Sequence, residues 1–148
     1  MKYREIKGNL FDMPREYSLA HCISLDCALG AGIAKEFQNR YPNMVNKLRA
    51  HISQNRIKTI PIVLSYKIGP NRYIFNLVTK EKYWQKPTYD TLGPTLVQMK
   101  NYCIYNNINK IAMPLIGCGL DRLKWNSVSQ MIKDIFNDTD IEIVVCKL

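Results

Sequence analysis

Short β-rich runs alternate with helical patterns along this chain, and that alternation limits the possible folds more than any other feature of the sequence. The runs are Tyr3 to Ile6, Leu19 to Ile23, Thr59 to Ser65, Arg72 to Thr79, Lys110 to Met113 and Ile141 to Cys146. Each is rich in β-branched, aromatic or aliphatic residues. Between them, Gly32 to Arg40 and Asn43 to Gln54 carry Ile33, Phe37, Val45, Leu48 and Ile52 at helical spacing. Tyr41-Pro42 should separate these two helices, because the residue before a proline is pushed out of the helical region. From about Asp90 to Asn107, Leu92, Leu96, Met99 and Cys103 form one helical stripe, and Pro94 is expected in the first turn, where a missing N–H costs little. A last helix near Asn126 to Asn137 is expected to start from an Asn126 or Ser127 cap and to bury Val128, Met131, Ile132 and Ile135. Strands alternating with helices mean an α/β fold with a mixed, mostly parallel sheet covered on both faces. The final run is apolar enough to be an interior strand, and it brings Leu148 near the sheet's edge.

The length of 148 residues fits a single domain spanning 1–148 with a core of ordinary size. Apolar residues at 47% and charged residues at 22% exclude wholesale disorder and a coiled coil. The five cysteines, Cys22, Cys27, Cys103, Cys118 and Cys146, are odd in number and never spaced as CxxC, so neither a disulfide framework nor a metal site is indicated. The first residues lack a signal-peptide apolar run, and no stretch is long enough to cross a bilayer. The expectation is a reduced, cytoplasmic protein (or nuclear, in a eukaryote) with no membrane partner, and a monomer by default. One number is unusual: 21 Lys and Arg against 12 Asp and Glu give a charge of +9. Such a surface attracts phosphates, nucleotides, nucleic acid or an acidic membrane face, and a basic surface that only aids solubility fits equally well.

In open α/β sheets, ligands bind outside the carboxyl ends of the strands. Two loops there carry glycines: Leu29-Gly30-Ala31-Gly32-Ile33-Ala34 after the second run, and Ile116-Gly117-Cys118-Gly119-Leu120-Asp121 after the fifth. Glycine lets backbone N–H groups approach an anion, and a helix N-terminus behind it adds partial positive charge. Two such loops on one edge suit a diphosphate. Neither is a complete dinucleotide fingerprint or P-loop, and tight turns demanded by packing remain the alternative.

Lys80 follows directly on Tyr73 to Thr79 and so ends a buried strand, where partial desolvation favours a neutral amine, a nucleophile toward carbonyl carbon. Asp121 should face the same edge. The alternative is that Lys80 guards a strand end and Asp121 caps the last helix or pairs with Arg122. His21, inside a strand pattern, reads as a hydrogen-bonded core residue, and His51 as solvent-facing. Tyr83 and Trp84, in the polar loop after Lys80, either stack on a base or ribose or cover the rim of the core.

Several segments taken together carry a resemblance. They are Gly8-Asn9-Leu10-Phe11, Ser18 to Ser24 running through Asp26-Cys27 to Gly30-Ala31-Gly32-Ile33-Ala34, Val78-Thr79-Lys80 with Lys86-Pro87-Thr88-Tyr89, and Met113 to Leu123. They resemble the macrodomain superfamily, and within it the terminal ADP-ribose protein glycohydrolase subfamily, over nearly the whole chain. The resemblance implies a three-layer α/β/α sandwich that holds ADP-ribose across the carboxyl ends of the strands. It implies that Asn9 and Leu10 lie near the adenine and that Ser24 belongs to the substrate site. Gly30, Ala31, Gly32 and Ile33 would hold phosphate and distal ribose. Leu115, Ile116, Gly117, Cys118, Gly119 and Leu120 would grip the diphosphate from the other side, and Leu148 would close the adenine pocket. Lys80 would be the nucleophile and Asp121 its acid/base partner. The implied reaction is hydrolysis of mono-ADP-ribose from Glu and Asp side chains of proteins and of O-acyl-ADP-ribose, with no metal or other cofactor. The alternatives within the resemblance are de-ADP-ribosylation of nucleic acid, which the +9 surface would assist, and a non-catalytic ADP-ribose-binding module. One position departs from the family: where it usually has Asp beside the adenine, this chain has Asn9, an uncharged acceptor expected to weaken adenine binding by on the order of a kcal/mol.

Overall fold

The computed structural model of the chain describes residues 1–119 and 123–148. Strands β1 (Lys2–Lys7), β2 (Ser18–Ser24), β3 (Ile62–Gly69), β4 (Arg72–Lys80), β5 (Lys110–Met113) and β6 (Glu142–Lys147) alternate with helices α1 (Gly32–Arg40), α2 (Pro42–Gln54), α3 (Tyr89–Tyr105) and α4 (Trp125–Phe136). The sheet order is β1-β6-β5-β2-β4-β3. All neighbours are parallel except β3 and β4, which form a hairpin across the turn at Pro70-Asn71. Asn71 takes positive φ there (51°), a conformation Asn tolerates better than most residues. The mixed, mostly parallel sheet is the one the alternation predicts, and β6, almost wholly buried, lies inside it.

Side-chain alternation along the strands divides the core in two. On one face Ala20, Phe75, Leu77, Ile111, Met113, Ile143 and Val145 meet α3 and α4 through Leu92, Leu96, Met99, Val128, Ile132 and Phe136. On the other Leu19, Ile23, Ile74, Val78 and Val144 meet α1 and α2 through Phe37, Met44, Val45 and Leu48. Three layers result, with buried apolar side chains on both sides of the sheet.

Several boundaries differ from expectation, β3 for one running on to Gly69 rather than ending at Ser65, and three of the starts differ for a local reason. β3 starts at Ile62 rather than Thr59, since Pro61 has no N–H to give a ladder. α3 starts at Tyr89 behind a Thr88 cap, so Pro94 falls in the second turn rather than the first. There it removes a bond to the carbonyl of Asp90 on the exposed side of the helix, where that carbonyl is open to solvent. α4 begins at Trp125, so Asn126 and Ser127 lie within its first turn, and Lys124 occupies the cap position without a side-chain bond.

Candidate active site

Because β1, β2, β4, β5 and β6 are parallel, their carboxyl ends lie along one edge, and the segment after each one turns into a common cavity of about 1240 Å³. Antiparallel β3 contributes nothing to its lining. The cavity wall brings together Asn9 and Leu10 after β1, Ser24 at the end of β2, Gly30, Ala31, Gly32 and Ile33 beyond it, and Lys80 at the end of β4. Leu115, Ile116, Gly117, Cys118 and Gly119 after β5 complete it, with Leu148 after β6. Leu148, 94% exposed, stands at the cavity's rim. Leu120 and Asp121 lie outside the described residues.

The two glycine loops differ in what they offer. The first leads into α1, whose cap position, Ala31, has an extended backbone and supplies no side-chain bond to the helix N–H groups. Gly32 opens the helix at a φ of +60°, which glycine alone adopts freely. The first-turn N–H groups, which have no carbonyl within the helix to bond, and the positive end of the helix dipole therefore lie at the cavity wall, an arrangement suited to an anion. In the second loop, Gly117 has φ +72°, and a Cβ there would stand 2.9 Å from Leu123 Cδ1 and 3.5 Å from Leu92 Cδ2. The near contact is with the flexible end of the Leu123 side chain, which can yield, so the positive φ is what asks for glycine here. Asn9 holds the turn Leu10–Asp12 through a bond from Phe11 N to its Oδ1 at 2.9 Å. A second lone pair on that oxygen can accept from a ligand.

Lys80 is partly buried at the point where β4 leaves the sheet. Its carbonyl accepts from Leu25 N at 2.9 Å, and that of Glu81 accepts from Asp26 N at 3.1 Å, so the ends of β2 and β4 stay zipped beyond the ladder. The Asp26 carboxylate extends the zip. It accepts from Ser24 Oγ, from Ala28 N at 3.2 Å and from Tyr83 N at 3.0 Å. Burial opposes ionisation of Asp26, but these donors, together with the charge of Lys82, outweigh it and hold its carboxyl below the usual range. Asp26 thus joins the first glycine loop to the segment carrying Lys80. Sequence reading did not single out this residue, since its bond to Tyr83 spans 57 positions and leaves no local pattern. The same cavity also takes in Tyr83, Trp84 and Lys86 from the loop after Lys80.

His21 is fully buried on the α1 side of the sheet, stacked on Phe37 at 3.8 Å and bonded to Asn76 Oδ1 at 2.7 Å. Burial lowers its pKa to about 4 despite the Asn76 bond, so it is a neutral core residue, as its place in a strand pattern implied. His51 is exposed. Burial pushes the thiol of Cys27 up and that of Cys103 up to about 12, which makes both poor nucleophiles. Among the described residues there is no group of three or more His, Cys, Asp or Glu placed to hold a metal ion, and no helix long and apolar enough to cross a membrane.

A parallel sheet with helices on both faces and a glycine-lined cavity at its carboxyl edge is the architecture of a macrodomain, and the chain belongs to the Macro domain family, whose profile matches residues 20–132. It is 41% identical over 143 residues to the protein named ADP-ribose glycohydrolase OARD1 of Homo sapiens, covering 97% of this chain and 90% of that one. The name is that of a hydrolase, the enzyme class expected from sequence. The macrodomain of Thermus aquaticus DarG shares the fold, with a TM-score of 0.86 at 24% identity over 97% of each chain. So does Thermosipho africanus DarTG, solved in complex with ADP-ribose, with a TM-score of 0.85 at 15% identity over 99% of this chain and 42% of that one.

Proposed function

We propose that the chain is an ADP-ribosyl hydrolase that binds ADP-ribose in the cavity and removes mono-ADP-ribose from Glu and Asp side chains of proteins, and from O-acyl-ADP-ribose. One observation carries the reading: Lys80 opens into the same cavity as both glycine loops. A diphosphate held by backbone N–H groups fixes the distal ribose beside the lysine, so positioning supplies much of the catalysis.

In this reading the Lys80 amine attacks C1 of the distal ribose. A nitrogen–carbon bond forms, the C1–oxygen bond of the ester breaks, and the acceptor leaves as a carboxylate, a good leaving group. Asp121, two residues beyond cavity-lining Gly119, takes the proton from the attacking amine. Water then adds at C1 while protonated Asp121 returns its proton to the departing nitrogen, and the carboxylate takes the water's proton and releases it to solvent. The products are free ADP-ribose, the carboxylate and a regenerated lysine. No metal enters these steps.

The test is release of ADP-ribose from a glutamate-linked peptide by wild type, Lys80→Ala and Asp121→Ala. Loss of at least about 100-fold in kcat for Lys80→Ala, with calorimetric ADP-ribose binding retained, is expected for removal of a chemical group. Wild-type turnover by Lys80→Ala would overturn the mechanism. Binding of ADP-ribose by the wild type with no turnover on any linkage would make the chain a binding module instead.

A further inference from the structure

The loop after Lys80 holds two large aromatic side chains in water. Tyr83 is 65% exposed and Trp84 68%, both beside the cavity, and neither packs into either half of the core. They do not cover the core's rim. Their backbone is nevertheless braced: Gln85 Oε1 accepts from Glu81 N at 3.1 Å and Lys82 N at 2.8 Å, Gln85 N donates to Lys82 O at 3.0 Å, and Asp26 accepts from Tyr83 N. A braced turn that leaves two aromatic faces uncovered next to a reaction centre contributes little to stability and much to recognition.

The charge around the pair says what it recognises. Lys82 and Lys86 stand against Glu81 alone between residues 81 and 86, on a chain of net charge +9. Aromatic faces interleaved with lysines match a strand that offers flat bases and phosphates in turn. An acidic peptide would satisfy the lysines and leave the aromatic faces idle.

We infer that Tyr83 and Trp84 form an acceptor platform on which a base of single-stranded nucleic acid stacks, with Lys82 and Lys86 on its phosphates, so that a nucleic-acid acceptor reaches the cavity from this side. This rests on the proposed ADP-ribose chemistry for its purpose, but the platform itself is measurable without any turnover. The experiment titrates the full chain into fluorescein-labelled, unmodified single-stranded DNA and RNA of one sequence, about eight nucleotides long, and follows anisotropy. A poly-glutamate peptide forms a parallel arm.

Stacking on one aromatic residue predicts that Trp84→Ala weakens oligonucleotide binding by about 10-fold while Trp84→Phe does not. Tryptophan emission should be quenched in wild type and not in Trp84→Ala, where Trp125 is the remaining tryptophan and its unchanged emission reports an intact fold. Replacing Lys82 and Lys86 by Gln should shallow the salt dependence by about 1.4 in log–log slope, the share of two phosphates. Equal affinity in wild type and Trp84→Ala overturns the platform. So does poly-glutamate binding with the same dependence on Trp84, which would assign the surface to peptide acceptors. Failure of the hydrolase reading would appear only in the ADP-ribose release assay, so the two are separable.

Discussion

Asp26 shows how a single residue can set the geometry of a site without facing the ligand. Its carboxylate collects donors from its own loop and from Tyr83, so the approach to the first glycine loop and the lysine-bearing segment cannot shift independently. Asp26→Ala removes these bonds and should cost about 1–3 kcal/mol of stability, with kcat for ADP-ribose release falling more than ADP-ribose affinity. The pH dependence has a definite sign. The folded carboxyl has a lowered pKa, so its stabilisation is complete above the ordinary carboxylate range and is lost as pH falls through the folded value. The stability gap between wild type and Asp26→Asn, followed by urea unfolding, should therefore narrow on acidification. A gap independent of pH would show that the charge of Asp26 contributes nothing. Lys80 differs from Asp26 in legibility: a β-rich run ending in a lysine is visible in the chain, whereas a carboxylate that bridges two distant loops is not.

At the scale of elements, the N-terminus of α3 carries more than its own helix. The loop that begins at Lys80 ends in a capping box, with Thr88 Oγ1 accepting from Thr91 N at 3.1 Å and Thr91 Oγ1 from Thr88 N at 2.9 Å. One residue on, the Tyr89 hydroxyl accepts from Lys124 N at 3.1 Å, tying the start of α3 to the approach to α4. Thr88→Ala should lower stability by about 1 kcal/mol, or about 2–4 °C in Tm, measurable by thermal unfolding. An unchanged Tm would mean that the cap is replaced by water at no cost. The existence and order of the elements were legible because apolar periodicity is local. The starts of α3, α4 and β3 were less so, since a capping threonine, a lysine at a cap position and a proline at a strand start depend on how the chain enters each element.

For the whole molecule, the cavity is a property of parallel topology: the carboxyl ends of the five parallel strands share one edge, and β3 runs the other way. Ligand binding to the folded state alone must raise Tm. ADP-ribose at about 100 times its Kd should add about 2.7 kcal/mol, or about 5–10 °C for a domain of this size. Lys80→Ala should keep most of that shift if, as proposed, backbone groups hold the diphosphate, and its loss would place Lys80 in ground-state binding instead.

By itself the sequence determined the class of fold, the order of its strands along the chain and the glycine loops, because hydrophobic period and glycine content are local properties of the backbone. Its motifs also carried the resemblance to macrodomains, which the Macro domain match over residues 20–132 shows to be the family. The tertiary structure decided that His21 is neutral in the core, that Asp26 bridges two loops, and that Tyr83 and Trp84 stand clear of the core beside the cavity. Each of these depends on which segments the sheet order brings together, and residues as far apart as Asp26 and Tyr83 leave no periodic trace of their meeting.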